Sequence, residues 1–231
     1  MTPPRANLAA ALRESFTLAY VGQFRETRVC DQYLAGIAGF LAKDANRRAR
    51  FRFRVVGQMS PRLERRAIEL NVNLSTTGYL SHLDAVREMC AADLLLLSTV
   101  RGRNGASVIP GKVFEYLATG RPILAIGDPE SEVIRLIERM NAGVGVPRDA
   151  ASVAEALARY WSEWQSGKAP TGARAGAVAS YSRETLTARL AGVFELAIES
   201  ARIDRRESQR LDVRAPVDAR PVPLGTGAVE T

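Results

Sequence analysis

The chain has 231 residues, of which 46% are hydrophobic and 25% are charged, and its formal net charge at pH 7 is +7. This apolar content is enough for a packed core of one or two domains and excludes an intrinsically disordered protein. The positive charge suits an anionic partner, such as a sugar nucleotide, an acidic membrane surface or a nucleic acid, and does not choose among them.

The sequence also lacks the signals of membrane-spanning, secreted and zinc-binding proteins. No apolar stretch approaches the roughly 20 residues of a spanning helix, and the N-terminus has no apolar run like that of a secretory signal. The two cysteines, Cys30 and Cys90, fall in predicted helices and read as small buried hydrophobes, not as a disulfide or a metal pair. We expect a cytoplasmic protein that needs no metal.

Six apolar runs rich in β-branched residues alternate with stretches of helical periodicity. The runs predict strands over residues 16–21, 51–56, 72–76, 93–98, 123–126 and 144–146. The periodic stretches predict helices over residues 30–46, 61–70, 82–92, 111–119, 130–141, 150–165 and 183–203. This alternation predicts an α/β fold, a Rossmann-like parallel sheet with helices on both faces.

The pattern also predicts the domain boundaries. Residues 1–15 form an N-terminal lead-in, residues 16–203 the Rossmann-like domain, and residues 204–231 a disordered tail that mixes Arg, Asp and Pro with few apolar residues. Ligands of open parallel sheets bind outside the carboxyl ends of the strands. We therefore expect the site in the loops that follow the strands.

The most specific segment covers residues 103–127, where a glycine-containing loop leads into a helix and then a buried strand. Pro110 suits the first helical turn because it has no N–H to leave unpaired. Gly111 lets a ligand approach the backbone closely. The amides of Gly111 and Lys112, the positive end of the helix and the Lys112 ammonium together predict an anion site of the kind that holds a diphosphate.

Other strand ends carry further candidate residues. Gly22 ends the first strand and Gly57 the second, and both permit close approach, while Arg28 offers a fixed cation. After the third strand, backbone groups of Tyr79 and Leu80 are placed to contact a nucleobase. Simple tight turns at the two glycines, and a solvated charge at the arginine, are the alternatives. The first strand is not followed by the glycine fingerprint of nicotinamide or flavin enzymes.

Two polar residues on predicted helices have competing interpretations. Glu115 lies one helical turn beyond Lys112, where a carboxylate can accept hydrogen bonds from the hydroxyls of a ribose, and an ion pair with Lys112 is the alternative. His82 is the single histidine. Because no carboxylate partner can be assigned to it, a capping or base-contact role is favoured over general-base catalysis.

An arginine-rich stretch covers residues 47–54 and alternates with Phe51 and Phe53. This period of two is more typical of a strand with one buried and one solvated face than of a base-stacking platform. No nucleic-acid partner is therefore predicted. Peripheral contact with anionic lipid, at the inner face of the membrane, stays open.

Together, the first-strand end at Gly22 with Arg28, the turn at Tyr79, the apolar run over 91–97 and above all the segment over 110–124 resemble the C-terminal half of GT-B glycosyltransferases. The similarity is strongest to the large retaining family 4 group and extends over about residues 16–200. In that family this half binds a nucleoside diphosphate sugar, while a separate N-terminal half binds the acceptor.

The resemblance implies that the candidate residues share one donor substrate. It assigns Arg28 to the diphosphate, Tyr79 and Leu80 to the base, Gly111 and Lys112 to phosphate oxygens, and Glu115 to the ribose. Ser107 stands where the family has the first of two glutamates, which touches the donor sugar, and Gln23 stands where a basic residue usually follows the glycine. The last helix resembles the segment that crosses back to the other half.

Only a few residues precede the first predicted strand, so the expected chain is a fragment, a split gene product or a subunit whose partner brings the acceptor half. Transfer needs both substrates held together away from water. We therefore expect a hexosyltransferase-like glycosyltransferase that needs a partner acceptor domain, and no catalytic residue is assigned. The alternative is a non-catalytic module that binds a nucleotide sugar or another protein, as a regulatory subunit or a truncated remnant.

Overall fold

The computed structural model describes residues 14–24, 28–99, 105–168 and 171–212. The described residues fall into two units, divided between Tyr181 and Ser182. The first unit contains the sheet and the helices that cover it, and the second contains the last helix. Of the lead-in predicted over 1–15, residues 1–13 lie outside the described residues, as does the part of the predicted tail from residue 213 onwards. The prediction of disorder from residue 204 is wrong for residues 204–212, which continue the last helix.

Within the described residues, six parallel strands form one sheet in the order β3-β2-β1-β4-β5-β6. The strands are β1 (Phe16–Val21), β2 (Phe51–Val56), β3 (Leu74–Thr76), β4 (Leu94–Ser98), β5 (Ile123–Ile126) and β6 (Gly143–Val146). The helices are α1 (Arg28–Ala42), α2 (Ala45–Arg50), α3 (Pro61–Glu69), α4 (His82–Ala91), α5 (Lys112–Thr119), α6 (Glu132–Arg139), α7 (Ala150–Gln165), α8 (Ala175–Ala179) and α9 (Arg183–Asp212). The predicted α/β class and parallel sheet are confirmed.

The four leucines of β4 show why this run forms a strand at the centre of the sheet. Leu94 and Leu96 pack into the core on the side of α1 and α7. Leu95 and Leu97 pack into the core on the side of α5 and α6. All four are buried because successive strand side chains point to opposite faces, and both faces are covered by helices.

The sheet opens between its two central strands. β1 pairs with β2 along its whole length, from Phe16 to Val21. It pairs with β4 only at Leu18 and Ala19. The order of the strands also reverses at this point, which is where open α/β sheets form a ligand crevice.

Some elements differ from their predicted bounds. The helix predicted over 30–46 is divided into α1 and α2, because Asp44 is extended and its side chain accepts a hydrogen bond from the Asn46 amide (2.9 Å), which caps a new helix. The short helix α8 and a 3-10 turn at Gly105–Ser107 were not predicted. The last helix continues to Asp212, nine residues beyond its predicted end at residue 203.

The cysteines and the membrane expectation can also be compared with the structure. Cys30 is buried as predicted, whereas the prediction for Cys90 is wrong: it is exposed, because Met89 is the side chain that α4 buries at this point. Neither cysteine forms a disulfide. Among the described helices, none has the length and apolar character needed to cross a membrane.

Candidate functional site

The turns that follow β1 and β2 pack directly against each other. Gly22 has a φ of +121° and Gly57 a φ of +139°, values that side-chain-bearing residues rarely adopt. A Cβ atom on Gly57 would overlap the carbonyl oxygen of Gly22. The requirement for glycine at position 57 is therefore explained by backbone packing, so the tight-turn interpretation fits it.

Lys112 reaches from α5 to the end of β1. Its ammonium donates a hydrogen bond to the carbonyl oxygen of Val21 and lies 4.8 Å from the centre of the Tyr20 ring. A Cβ atom on Gly22 would come within 2.6 Å of Nζ, so the glycine leaves the space that the ammonium occupies. Burial lowers the pKa of Lys112, and the nearby charge of Glu115 opposes this shift.

The N-terminal end of α5 is open. The Val113 amide donates to the Pro110 carbonyl (3.0 Å) and the Phe114 amide to the Gly111 carbonyl (3.1 Å), so the amides of Gly111 and Lys112 precede the first turn of hydrogen bonds. Apart from the adjacent residues and the backbone of α5 itself, no described atom lies within 4 Å of the position that a Cβ on Gly111 would take. These two amides, beside the Lys112 ammonium, form a surface suited to an anion.

Glu115 lies on the same helix and is exposed. In the described part of the chain the Lys112 ammonium bonds to the Val21 carbonyl, and no salt bridge within 4 Å joins it to Glu115. The charge of Glu115 still acts on Lys112, so both interpretations of Glu115 stay predictions. Its carboxylate is accessible to a ligand.

The turn between β3 and α4 exposes Tyr79, whose side chain is 91% accessible, and half-buries Leu80. Thr77 fixes this turn: its hydroxyl accepts a hydrogen bond from the Gly57 amide (3.2 Å) and donates one to the Gly78 carbonyl (2.9 Å). Sequence reasoning missed Thr77. A threonine next to a glycine at a strand end was the available signal, because short hydroxyl side chains commonly bond to turn backbone.

His82 is exposed, but the suggested capping role is wrong. Ser81 is the N-cap of α4, and its hydroxyl accepts a hydrogen bond from the Asp84 amide (3.2 Å). A serine accepts from the helix amides more readily than an imidazole in the same position, since its oxygen is short and correctly placed. His82 is the first residue of the helix instead.

The structure describes two other candidates only in part. Ser107 is exposed at the end of the 3-10 turn, and residues 100–104 before it lie outside the described residues. Arg28 begins α1, and its side chain also lies outside the described part. The ligand roles given to all nine candidate residues stay predictions.

The structure adds to the site a buried residue, Tyr116, that the sequence analysis did not single out. The hydroxyl of Tyr116 accepts a hydrogen bond from the Val21 amide (3.0 Å) and donates one to the Leu96 carbonyl (3.3 Å). Burial raises the pKa of Tyr116 far above its usual value, so the hydroxyl stays protonated. The signal was a tyrosine on the buried side of a helix, since a buried tyrosine hydroxyl needs a partner.

At the carboxyl edge of the sheet, a hydrogen bond joins the residues that follow β6 and β4. Arg148, which follows β6, donates a hydrogen bond to the Thr99 hydroxyl (2.6 Å) beyond the end of β4. The Thr99 side chain occupies the place of a Cβ atom on Gly127. Within the described residues, this contact fills the edge beside β5 and leaves the crevice between β1 and β4 as the candidate site.

The arginine-rich stretch over 47–54 is largely engaged within the chain. The Arg47 guanidinium lies 4.7 Å from the centre of the Phe40 ring. Arg54 forms two hydrogen bonds, of 2.5 and 2.6 Å, with the carboxylate of Glu88. These contacts leave less charge for lipid than the sequence suggests.

A cavity of about 440 Å³ between the end of α1 and α2 lies at the amino end of the sheet, away from the crevice.

The fold is similar to several solved structures at low sequence identity. The alpha,alpha-trehalose-phosphate synthase (UDP-forming) from Burkholderia vietnamiensis has a TM-score of 0.56 and 15% identity, and the alignment covers 80% of this chain and 45% of that chain. A structure described as trehalose-6-phosphate from E. coli, bound with UDP-2-fluoro glucose, has a TM-score of 0.53 and 16% identity over 75% of this chain and 41% of that chain.

A protein described as a putative UDP-N-acetylglucosamine 2-epimerase, from Listeria monocytogenes, has a TM-score of 0.52 and 10% identity, with 84% of this chain and 50% of that chain covered. The chain thus spans half or less of the length of these three structures. Its sheet corresponds to one half of a GT-B fold.

No curated protein matches the sequence. Residues 15–163 match the family described as Glycosyl transferases group 1. Because this match covers more than half of the sequence, the chain belongs to the glycosyl transferases group 1 family.

Proposed function

We propose that this chain is the donor-binding domain of a glycosyltransferase, and that it binds a nucleoside diphosphate sugar for transfer with retention of configuration and without a metal. The observation that carries the proposal is the open N-terminal end of α5 beside the half-buried Lys112 ammonium, at the crevice between β1 and β4. The E. coli structure bound with UDP-2-fluoro glucose supports a ligand of this class.

The diphosphate binds at the amides of Gly111 and Lys112. Backbone N–H groups and the helix dipole favour a negative charge at this position. The Lys112 ammonium is already held within the crevice by the Val21 carbonyl, so little freedom is lost when an anion binds. These groups stabilise the nucleoside diphosphate as it leaves the sugar.

The remaining contacts follow from exposure and position. The Glu115 carboxylate is free to accept hydrogen bonds from ribose hydroxyls, one helical turn from the phosphate site. The turn at Tyr79 and Leu80 lies at the same edge of the sheet and offers backbone groups and an exposed aromatic ring to the base. Ser107 lies on the segment before α5, and we propose that it contacts the sugar.

Transfer needs an acceptor site, which we propose is supplied by a second Rossmann-like half outside these 231 residues. The chain spans half or less of the similar structures. Leu190, Phe194 and Ile198 lie four residues apart on α9 and are more than half exposed, an apolar strip suited to a protein contact. We expect the domain to act in the cytoplasm.

Calorimetric titration of UDP and GDP tests the donor site. Lys112→Ala is expected to weaken binding of the preferred diphosphate by about 10- to 100-fold, because a hydrogen bond to a charged group is lost. Lys168→Ala, which removes an exposed lysine beyond α7, is the matched control and should bind like wild type. EDTA should not change the affinity. Equal affinities for wild type and Lys112→Ala contradict the proposed site.

A second function is a module that binds a nucleotide sugar and does not transfer it, as a regulatory subunit or a truncated remnant. The similarity to a putative epimerase favours keeping this alternative, because the same fold occurs in a protein that is not described as a transferase. An assay for donor hydrolysis, in which the released diphosphate is measured, separates the two. Binding without any release of diphosphate, even after a copurifying acceptor half is added, favours the module.

A further inference from the structure

The two central strands separate at one backbone position. Ala19 lies opposite Leu95 in the last pair between β1 and β4. If the parallel ladder continued in this register, the Val21 amide would donate a hydrogen bond to the Leu96 carbonyl. The pairing of β1 with β4 stops at Ala19, and a side chain from α5 bonds to both of these backbone groups instead.

That side chain is Tyr116. Its hydroxyl accepts from the Val21 amide (3.0 Å) and donates to the Leu96 carbonyl (3.3 Å), so it replaces one ladder bond by two bonds in series. One turn earlier on the same helix, Lys112 donates to the Val21 carbonyl. Two side chains of α5, four residues apart, therefore hold both backbone groups of the last residue of β1.

We propose that Tyr116 is a positioning residue that sets the width of the crevice and aligns the N-terminal end of α5 with the β1 turn. This inference rests on the proposed donor site. Tyr116 is fully buried and does not touch the ligand. It acts through Val21, whose carbonyl holds the Lys112 ammonium, and through the fixed distance of α5 from β4.

The test is Tyr116→Phe, which keeps the ring and removes the hydroxyl. We expect the affinity for the preferred diphosphate, UDP or GDP, to fall about tenfold, while the affinity for the matching nucleoside changes less than twofold. Tyr160→Phe removes the hydroxyl of a buried tyrosine on α7 and is the control, with unchanged affinity. In a Lys112→Ala background, Tyr116→Phe should have little additional effect on the affinity for the diphosphate, because the Tyr116 hydroxyl acts on the phosphate site through Lys112.

A purely structural role predicts a different result. It would weaken nucleoside and diphosphate binding equally, or lower the affinity by the same factor with and without Lys112, and either result overturns the inference. Wild-type protein that binds neither UDP nor GDP would contradict the proposed function instead.

Measurements without a ligand keep the inference testable in that case. Hydrogen exchange of the Val21 amide is measured as a ratio to exchange of the Leu124 amide in the core of β5, which corrects for a change in global stability. This ratio should be at least tenfold higher in Tyr116→Phe than in wild type. An unchanged ratio overturns the inference. If the variant does not fold, the wild-type NMR spectrum decides: a protected hydroxyl proton near the Val21 amide supports the inference, and a hydroxyl proton that exchanges as fast as an exposed one overturns it.

Discussion

At the scale of single residues, the site depends on groups whose surroundings differ from those the sequence suggests. The sequence analysis chose Gly22 as a candidate site residue because a glycine lets a ligand approach the backbone closely. In the structure, the space beside it is occupied by the Lys112 ammonium. The glycine is therefore needed to let one functional side chain dock against the end of β1.

Gly22→Ala should lower both stability and affinity. The backbone at φ +121° is strained for alanine, which costs about 1–3 kcal/mol, and the new Cβ would displace Nζ of Lys112. The variant should unfold at a lower urea concentration and bind UDP or GDP more weakly. Gly111→Ala is the control for stability, since φ is −53° and the surrounding space is open, and it should be neutral or stabilising by up to about 1 kcal/mol.

A second residue-scale prediction concerns pH. Burial lowers the pKa of Lys112 below 10.5 in the free protein, and a bound diphosphate favours the charged form. The affinity should therefore stay constant below the lowered pKa and fall as the pH rises through it, with proton uptake on binding in that range. Calorimetry in buffers of different ionisation enthalpy, from pH 7.5 to 10, measures the uptake. Lys112→Ala should show none of it, and equal uptake in both proteins would contradict this assignment.

At the scale of elements, α5 connects the two parts of the site. Its N-terminal amides form the proposed phosphate site, while the side chains of Lys112 and Tyr116 bond to the backbone of β1 and β4. The helix has only eight residues and is stabilised mainly by burial of Val113 and Leu117. Its position, and so that of the phosphate site, depends on the central strands against which it packs.

Leu96→Ala tests the burial of β4 against the helices on its α1 and α7 side. Leu96 is 1% exposed, and a buried leucine-to-alanine change costs about 2–5 kcal/mol. Urea unfolding should show a loss in this range. Ile68→Ala on α3, where the side chain is 71% exposed, is the matched control and should change stability by less than about 0.5 kcal/mol. Equal effects of the two changes would contradict the two-faced burial of β4.

At the scale of the whole molecule, the described residues form one sheet, which we propose is one wall of a donor cleft. Among the described residues, β1 and β4 pair only at Leu18 and Ala19, and further along the edge Arg148 contacts Thr99. A donor bound at the crevice remains accessible from outside the sheet. Water must be excluded from the reacting centre. We therefore expect that the donor sugar is held until transfer only when the second half proposed above covers it.

The sequence was informative wherever one local rule decided the structure. Strand β4 was predicted because four leucines between polar flanks fit burial on both faces, and α7 was predicted with its observed bounds. The division of the helix predicted over 30–46 was missed, because a single N-cap at Asp44 outweighed a continuous helical pattern. The ligand roles of the site residues stay predictions.

The sequence by itself determined the α/β class, the positions of the strands and the segment around Gly111 and Lys112, because periodicity and turn chemistry are local properties. Only the tertiary structure decided that Lys112 reaches the Val21 carbonyl and that Tyr116 bridges β1 and β4. Those contacts join residues more than ninety positions apart in the case of Val21. Their existence depends on where the strands diverge, which is a property of the assembled sheet.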